Sequence, residues 1–599
     1  MTVPEIKNCQ NCKKDFTIEP EDFLFYEKIK VPPPTFCPEC RLQRRHAWRN
    51  MRALYRRPCD LCKADKIGMY ALDKPHTAYC PSCWWSDGWD ALDHGRAYDF
   101  SRSFFEQFAE LIKQVPLISR SVYEDTLINS EYTNMGHSLK DCYLVFLSAP
   151  CERCAYCQSI DDGKDCLDVS WSNDVQLCYE GINLHNCYKV NYSKDCQSCS
   201  HSYFLNDCVN CTDCFGCTNL RNKQHYIFNE PYSPEAYVEK LKELGFQSEE
   251  YSSVQEFKRR AQEFWMRYPV KYFHGSNNQD ASGDYIYNAK NTRNSFFVNN
   301  IEDSKHCSFL MFGNPVRESY DWTQYGDNGE LVYEMVQSGG GVYNNHFGWM
   351  IWRGCRNVEY SALMNDCSDC FGCVGLKNKK FCLFNKQYTQ QEYYALREKV
   401  IQQMHEKPYA DAKGRVYQYG EFFPVELSPF TYNESVAQEE FPLSQKEAED
   451  LGFLWRDEKR DVSYTVTKQA CDLPDVLPDA DDMTKDIIAC ESCGKGYRFV
   501  KMELAFYRAH HIPLPRQCSN CRYITRLEKR GRAVLWDRMC MCVGASSQNG
   551  VYNNSAGHSH GTAPCSATVK TSYAPHLAGQ APERVDIIYC AECYQQEVI

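Results

Sequence analysis

Sixteen of the chain's 37 cysteines fall into close pairs whose spacing suits a tetrahedral metal ion. Cys9-x2-Cys12 is followed by Cys37-x2-Cys40, and Cys490-x2-Cys493 by Cys518-x2-Cys521, with a constant offset of 481 between the two sets. A two-residue gap lets both sulfurs of a pair reach one ion from a tight turn, and two pairs close its coordination shell. Cys59, Cys62, Cys80 and Cys83 make a third set. A fourth is expected from Cys540, Cys542, Cys590 and Cys593, although its first pair is spaced Cys-x-Cys and His558, His560 or Cys565 could stand in for Cys542. The simpler reading of the two histidines is a solvated Ser/Gly/His loop. Four thiolates leave no open position for water, so about four structural Zn2+ ions are expected. Redox iron on the same ligands is the competing reading, ranked lower because only Cys493 is followed by the glycine (Gly494) common in such knuckles.

The 481 offset also carries Arg41, Arg45 and Arg49 onto Arg522, Arg526 and Arg530. In both copies the second cysteine pair runs into a helix-like segment ending at Asn50 or Gly531, residues suited to a left-handed cap. A knuckle, a hairpin and such a helix resemble the treble-clef class of zinc fingers. Four-residue spacing puts the three arginines of each copy on one face, and seven arginines and no acidic residue lie between Arg41 and Arg57. Such a stripe fits the phosphates of RNA, DNA or a ribonucleoprotein. The alternative is pairing with carboxylates of the same chain.

These residues need elements to hold them, and 599 residues are too many for one core. The expected fold is mixed and mainly β, with two parallel β-solenoid segments, helical caps, and tandem treble-clef or zinc-ribbon modules at each end. The expected segments are zinc module 1 with its arginine helix (1–57) and module 2 with a following helix (58–120). A cysteine-rich solenoid (121–232), a helical connector (233–272) and a second solenoid (273–388) come next. The rest comprises a helical cap with irregular chain (389–470), an acidic linker (471–489), and modules 3 (490–539) and 4 (540–599).

The solenoid reading rests on columns 21 residues apart: Cys157, Cys178 and Cys199; Cys166, Cys187 and Cys208; and Cys196 with Cys217. Stacked coils would bury these as thiol ladders, with a metal at Cys151, Cys154 and Cys157 or at Cys208, Cys211, Cys214 and Cys217 as the sharper alternative. Asp213-Cys-Phe-Gly-Cys217 recurs as Asp369-Cys-Phe-Gly-Cys373, so two solenoids are expected. Ser233-Pro234 opens and Gly245 closes one capping helix, and Thr389 with Glu392 forms a capping box for the other. The second segment is rich in aromatics such as Tyr320, Trp322, Phe347 and Trp349. These are core ladders or, on the bolder reading, a groove that stacks sugars or bases.

Net charge is -12, no run of eighteen apolar residues occurs, and Met1 to Asn11 lacks an apolar signal core. A reducing cytoplasm and no membrane are expected, with the cysteines as thiols and ligands before disulfides. No nucleotide-binding loop, dinucleotide fingerprint or serine elbow appears. Asp87 and Asp90 read as turn residues.

The chain resembles a family of large bacterial multi-zinc-ribbon proteins of unknown function. The likeness rests on Val31-Pro-Pro-Pro-Thr-Phe-Cys-Pro-Glu-Cys-Arg-Leu-Gln-Arg-Arg45, Cys83-Trp-Trp-Ser-Asp-Gly-Trp-Asp90, Phe422-Phe-Pro-Val-Glu-Leu-Ser-Pro-Phe430 and the module from Cys490. It implies no activity. The expected function is a zinc-stabilised scaffold engaging nucleic acid or a ribonucleoprotein through its arginines, with a polymer-acting enzyme and a protein-binding scaffold as alternatives.

Overall fold

The computed structural model describes residues 3–457, 464–478, 483–575 and 586–598. The chain is mainly β and divides into two compact units, neither continuous in sequence. The first joins Met1–Ser121 to Phe273–Asp457, and the second joins Val122–Tyr272 to Glu458–Ile599.

The second unit contains the cysteine-rich β segment, strands between Leu127–Ile128 and Glu230–Pro231. Its rungs pair in parallel at a step of twelve residues: Gln158 with Ser170, Ser170 with Ile182, and Ile182 with Lys194. The expected 21-residue period is therefore corrected to twelve. A sulfur also reaches the carbonyl nine residues on, as Cys157 Sγ does to Cys166 O at 3.4 Å. The 21-residue columns are diagonals of this lattice, one rung of twelve plus a step of nine. From Arg153 to Asp213 every third residue has a positive φ, which bends the chain at regular corners. Asp and Asn tolerate that region best among residues with a side chain. They recur there and bond rung to rung, as Asn183 Nδ2 donates to Asp195 Oδ1 at 2.7 Å and Asn210 Nδ2 to Asn222 Oδ1 at 2.7 Å.

The first unit holds a second parallel ladder, between Gly275–Ser276 and Lys386–Gln387. Its steps vary: Ile301 pairs with Val316, Tyr320 with Tyr333, and Ser368 with Lys380. Both ladders end in a short antiparallel hairpin followed by a helix. Ser233 accepts from Ala236 N at the start of Pro234–Leu244, which ends at left-handed Gly245. Thr389 and Glu392 form the expected capping box of Gln390–Glu406.

The cysteines of the first ladder point inward with backbone carbonyls as partners; Cys166 Sγ lies 3.3 Å from Lys164 O and 3.4 Å from Val175 O. Among the described residues, no ladder cysteine belongs to a cluster of three or more potential metal-ligand atoms. In the second ladder Tyr320, Trp322, Phe347 and Trp349 are buried, so they build the core rather than a groove. The tract expected as a linker is packed over its first part. Leu473 and Leu477 are buried, and Asp475 bonds Tyr251 and Ser252 at the start of helix Tyr251–Trp265. Asp479, Asp481 and Asp482 lie outside the described residues. No described helix is long and apolar enough to cross a membrane.

Candidate metal centres and the faces they position

The first knuckle of each of the first three modules is one local structure. Lys13 N donates to Cys9 O, Lys63 N to Cys59 O and Gly494 N to Cys490 O, at 2.9 to 3.0 Å. The donor residue has φ of 60°, 62° and 71° in turn. All three positions are left-handed, so glycine at 494 is a convenience and its absence elsewhere does not discriminate zinc from iron. The second knuckle opens a helix in every module: Pro38–His46, Pro81–Trp85, Ser519–Arg530 and Ala591–Val598. The first of these ends sooner than expected, with Ala47 as a right-handed cap, and Asn50 instead donates its side-chain amide to Ala53 O and Met69 O. Gly531 does follow its helix, but at φ 91° and ψ 165°, a positive-φ conformation outside the left-handed helical region expected of it.

Four cysteine quartets result, each with its sulfurs within 4.8 Å of one another: Cys9, Cys12, Cys37 and Cys40; Cys59, Cys62, Cys80 and Cys83; Cys490, Cys493, Cys518 and Cys521; and Cys540, Cys565, Cys590 and Cys593. An ion with bonds of about 2.3 Å to four sulfurs places them roughly 3.8 Å apart. Measured separations are 3.7 Å for Cys12 and Cys37, 4.0 Å for Cys62 and Cys80, 3.9 Å for Cys493 and Cys518, and 3.9 Å for Cys565 and Cys590. The quartets thus fit a metal ion. The first sulfur of each also accepts a backbone N–H from the opening residue of the second knuckle, at 3.2 to 3.3 Å. Burial pushes the Cys59 thiol up, but N–H groups of Cys80, Cys62 and Leu61 more than offset it and leave it at about 7. Cys490 is likewise left at about 7. Thiolates are the metal-binding form.

The fourth quartet corrects the expected one, since Cys565 takes the place given to Cys542. Backbone direction explains the exchange: Cys565 N donates to Cys542 O at 2.9 Å, which brings the inserted loop alongside the first pair. Cys542 instead groups with His558, His560 and Cys593. Those histidines were expected in solvent, yet His558 is buried.

The arginine stripe faces inward. Arg41, Arg45, Arg49, Arg522, Arg526 and Arg530 are between 0 and 5% exposed, which corrects the expectation that they meet phosphates. Arg41 Nη2 reaches Asp321 Oδ2 at 2.7 Å and Arg45 Nη1 reaches Asp321 Oδ1 at 2.9 Å. In the second unit Arg522 Nε reaches Asp168 Oδ2 at 2.8 Å and Arg526 Nη1 reaches Asp168 Oδ1 at 2.7 Å. The match extends further. Arg45 Nε donates to Thr323 Oγ1 at 3.1 Å and Arg526 Nε to Ser170 Oγ at 3.2 Å, while Arg41 and Arg522 each donate to the carbonyl five residues back. Arg49 lies over Phe309 and Arg530 over Trp171, with guanidinium carbons 5.3 and 4.7 Å from the ring centroids. Burial pushes the Asp321 carboxyl up, but Arg41 and Arg45 prevail and hold it at about 2. Asp168 and Asp321 escaped the sequence reading. The available signal was Asp168-x-Ser170 against Asp321-x-Thr323, both at left-handed corners.

From those aspartates one corner column runs along each ladder: Asp168, Glu180, Tyr192, Phe204, Gly216 and Phe228, against Asp321, Glu334, Phe347, Tyr360, Gly372 and Phe384. In the first unit the chain's own Tyr419-Gly-Glu-Phe-Phe423 covers the middle of this column. Gly420 N donates to Tyr360 Oη at 2.8 Å, and the Tyr419 ring lies 6.2 Å from Phe347. Glu421 accepts from Arg44, which also pairs with Glu334 at 3.1 Å. Phe423 stacks on Phe108 with centroids 4.8 Å apart. A side chain on Gly420 would put its Cβ 2.4 Å from Pro32, so the close crossing requires glycine. In the second unit Glu180, Tyr192 and Phe204 line a cavity of about 230 Å³ instead. Helix Tyr251–Trp265 forms one wall, and Gln517 and Thr525, which stand where the first unit has Phe36 and Arg44, form part of another.

Asp90 caps a short 3-10 turn through Leu92 N at 2.9 Å and pairs with Lys379, as a turn residue should. Compared with known proteins, the chain matches no protein-family model and no curated protein.

Proposed function

We propose that the chain is a zinc-stabilised scaffold, each ladder a β-solenoid of about twelve-residue coils braced by a zinc module, whose second unit receives an extended, aromatic-bearing peptide segment of a partner protein. One observation carries this reading: the same corner column is covered by Tyr419–Phe423 in one unit and lines a cavity in the other. The covering segment shows what suits such a cleft, a backbone N–H bonded to a column hydroxyl and a phenylalanine ring, Phe423, stacked on Phe108 of helix Phe104–Gln114. Tyr192 and Phe204 supply the aromatic floor, and the ion pair of Lys258 with Glu180 at 2.5 Å gives the wall a polar edge. The nucleic-acid reading loses the six arginines that supported it, because carboxylates, carbonyls and aromatic rings of the same unit occupy them. The thiolate quartets suit a reducing compartment.

The test is fluorescence anisotropy of a labelled peptide with the sequence of Tyr417–Pro424 against the full chain. Saturable binding is expected, weakened more than about tenfold when both phenylalanines become alanine, since each buried ring contributes about 1.5–3 kcal/mol. Phe204→Ala in the full chain should weaken it comparably. Binding indifferent to both changes, or none at all, rejects the reading.

A further inference from the structure

We propose that the fourth module holds two metal ions bridged by the Cys593 thiolate. Cys593 belongs to two ligand groups at once: the quartet with Cys540, Cys565 and Cys590, and a second set with Cys542, His558 and His560. Each set has its ligand atoms within 4.8 Å of one another. His560 Nε2 lies 3.3 Å from Cys593 Sγ, close to the roughly 3.6 Å between a nitrogen and a sulfur on one tetrahedral zinc.

The surroundings are those of a ligand shell. His560 Nδ1 lies 2.7 Å from Ala563 O, so its proton sits there and Nε2 keeps a lone pair toward Cys593. Asn554 Nδ2 donates to Cys542 Sγ at 3.3 Å and is itself held by Tyr589 Oη through Asn554 Oδ1 at 2.7 Å. The His558 side chain is 0% exposed and neither ring nitrogen has a hydrogen-bond partner; Glu597 Oε2 stands 3.4 Å from Nε2. A buried ring nitrogen left without a partner costs free energy that a coordinated ion removes, while the other nitrogen can keep its proton toward Glu597.

Charge favours the pair. One divalent ion among four thiolates leaves an excess of two negative charges. Two ions among the five thiolates of this cluster, with neutral imidazoles, leave one. The ligand class, two thiolates and two imidazoles around the second ion, suits zinc or cobalt(II). The other three quartets have no such second group among the described residues. The insertion between Cys542 and Cys590 creates it.

The inference rests on the quartets taking metal, and metal analysis separates the two claims. The natively purified full chain should carry five zinc ions by mass spectrometry with inductively coupled plasma. His558→Ala/His560→Ala should carry four, and Cys542→Ser also four. Four ions in the wild-type chain, unchanged in the double variant, would overturn the bridge and leave the quartets intact; no metal would overturn both. Because a variant could lose ions by misfolding, a second readout uses the cobalt-substituted wild-type and double-variant chains. The ligand-field bands of a mixed nitrogen and sulfur site should disappear from the variant while the all-sulfur bands remain. Identical spectra would also reject the second ion.

Discussion

A guanidinium on a helix that opens at a cysteine knuckle can serve a phosphate or a carboxylate, and burial decides between them. Taking Arg41 and Arg45 out of water demands a counter-charge within the same shell, which Asp321 provides at 2.7 and 2.9 Å. Removing that charge leaves Arg41 and Arg45 with Glu334 alone, which Arg45 reaches at 3.2 Å and Arg44 already shares at 3.1 Å. Asp321→Asn, or Asp168→Asn in the other unit, should therefore cost about 3–5 kcal/mol in denaturant unfolding of the chain. A loss below 1 kcal/mol would show the pairs to be dispensable. Glu503 carries the opposite balance. At the position matching Asp22, which Lys305 neutralises at 2.8 Å, Glu503 is buried beside Arg522, and burial outweighs Arg522 and Tyr156 to push its carboxyl up to about 8. A folded value above the unfolded value of about 4.5 favours the protonated form in the native state. Its contribution is complete below pH about 4.5 and is lost as pH rises toward 8. Glu503→Gln should accordingly leave stability at pH 5 nearly unchanged and raise it by about 2–4 kcal/mol at pH 9, in paired urea titrations. An equal effect at both pH values would refute the assignment.

At the scale of elements, the cysteine modules were legible because metal ligation fixes both residue type and spacing. Cys9, Cys12, Cys37 and Cys40 recur at 481 without a slip. The ladders were only half legible. Their corners tolerate many residue types and their steps vary, so the offset between the two corner columns drifts from 153 at Asp168 and Asp321 to 156 at Phe204 and Tyr360. A fixed-offset search finds the last rungs and misses the first, which are the ones the arginines grip. The fourth quartet was misread for a related reason: an inserted loop supplied Cys565, and insertion erases spacing. The interior of the first ladder explains why cysteine there looked like a ligand. Ser172 and Ser202 donate to the carbonyl two residues back, at 3.0 and 2.7 Å, just as Cys166 does. Small side chains that donate along the stack are interchangeable in such columns. Cys166→Ser should thus change unfolding free energy by no more than about 1 kcal/mol and leave the metal count untouched, whereas Cys12→Ser should lose one ion. Loss of metal from the Cys166 variant would mean that the ladder thiols are ligands after all.

Across the whole molecule, the repeated object is larger than a cysteine module. The 481 offset of the modules and the drifting offset of the ladders meet at the arginine and aspartate contacts, so what recurs is a module together with the ladder it grips. Sequence order conceals this. The chain runs module, ladder, ladder, module, but Arg41 meets Asp321 across 280 residues and Arg522 meets Asp168 across 354. Each terminal module serves the ladder of its own unit, which is the one farther along the chain. The consequence is directional. If the first quartet loses its ion, the helix Pro38–His46 loses its anchor, and with it the ion pairs of Arg41, Arg44 and Arg45 to Asp321 and Glu334. Structural zinc carries folding free energy, so this loss should propagate to the element the helix braces. In hydrogen exchange on a Cys9→Ser/Cys12→Ser chain, protection should fall in the ladder around residues 320–336, while the sequence-adjacent ladder around residues 158–191 keeps its rates. The corresponding change in the third module, Cys490→Ser/Cys493→Ser, should reverse the pattern. Protection lost in the adjacent ladder instead, or equally in both, would mean that the arginine contacts do not carry the coupling between metal and ladder.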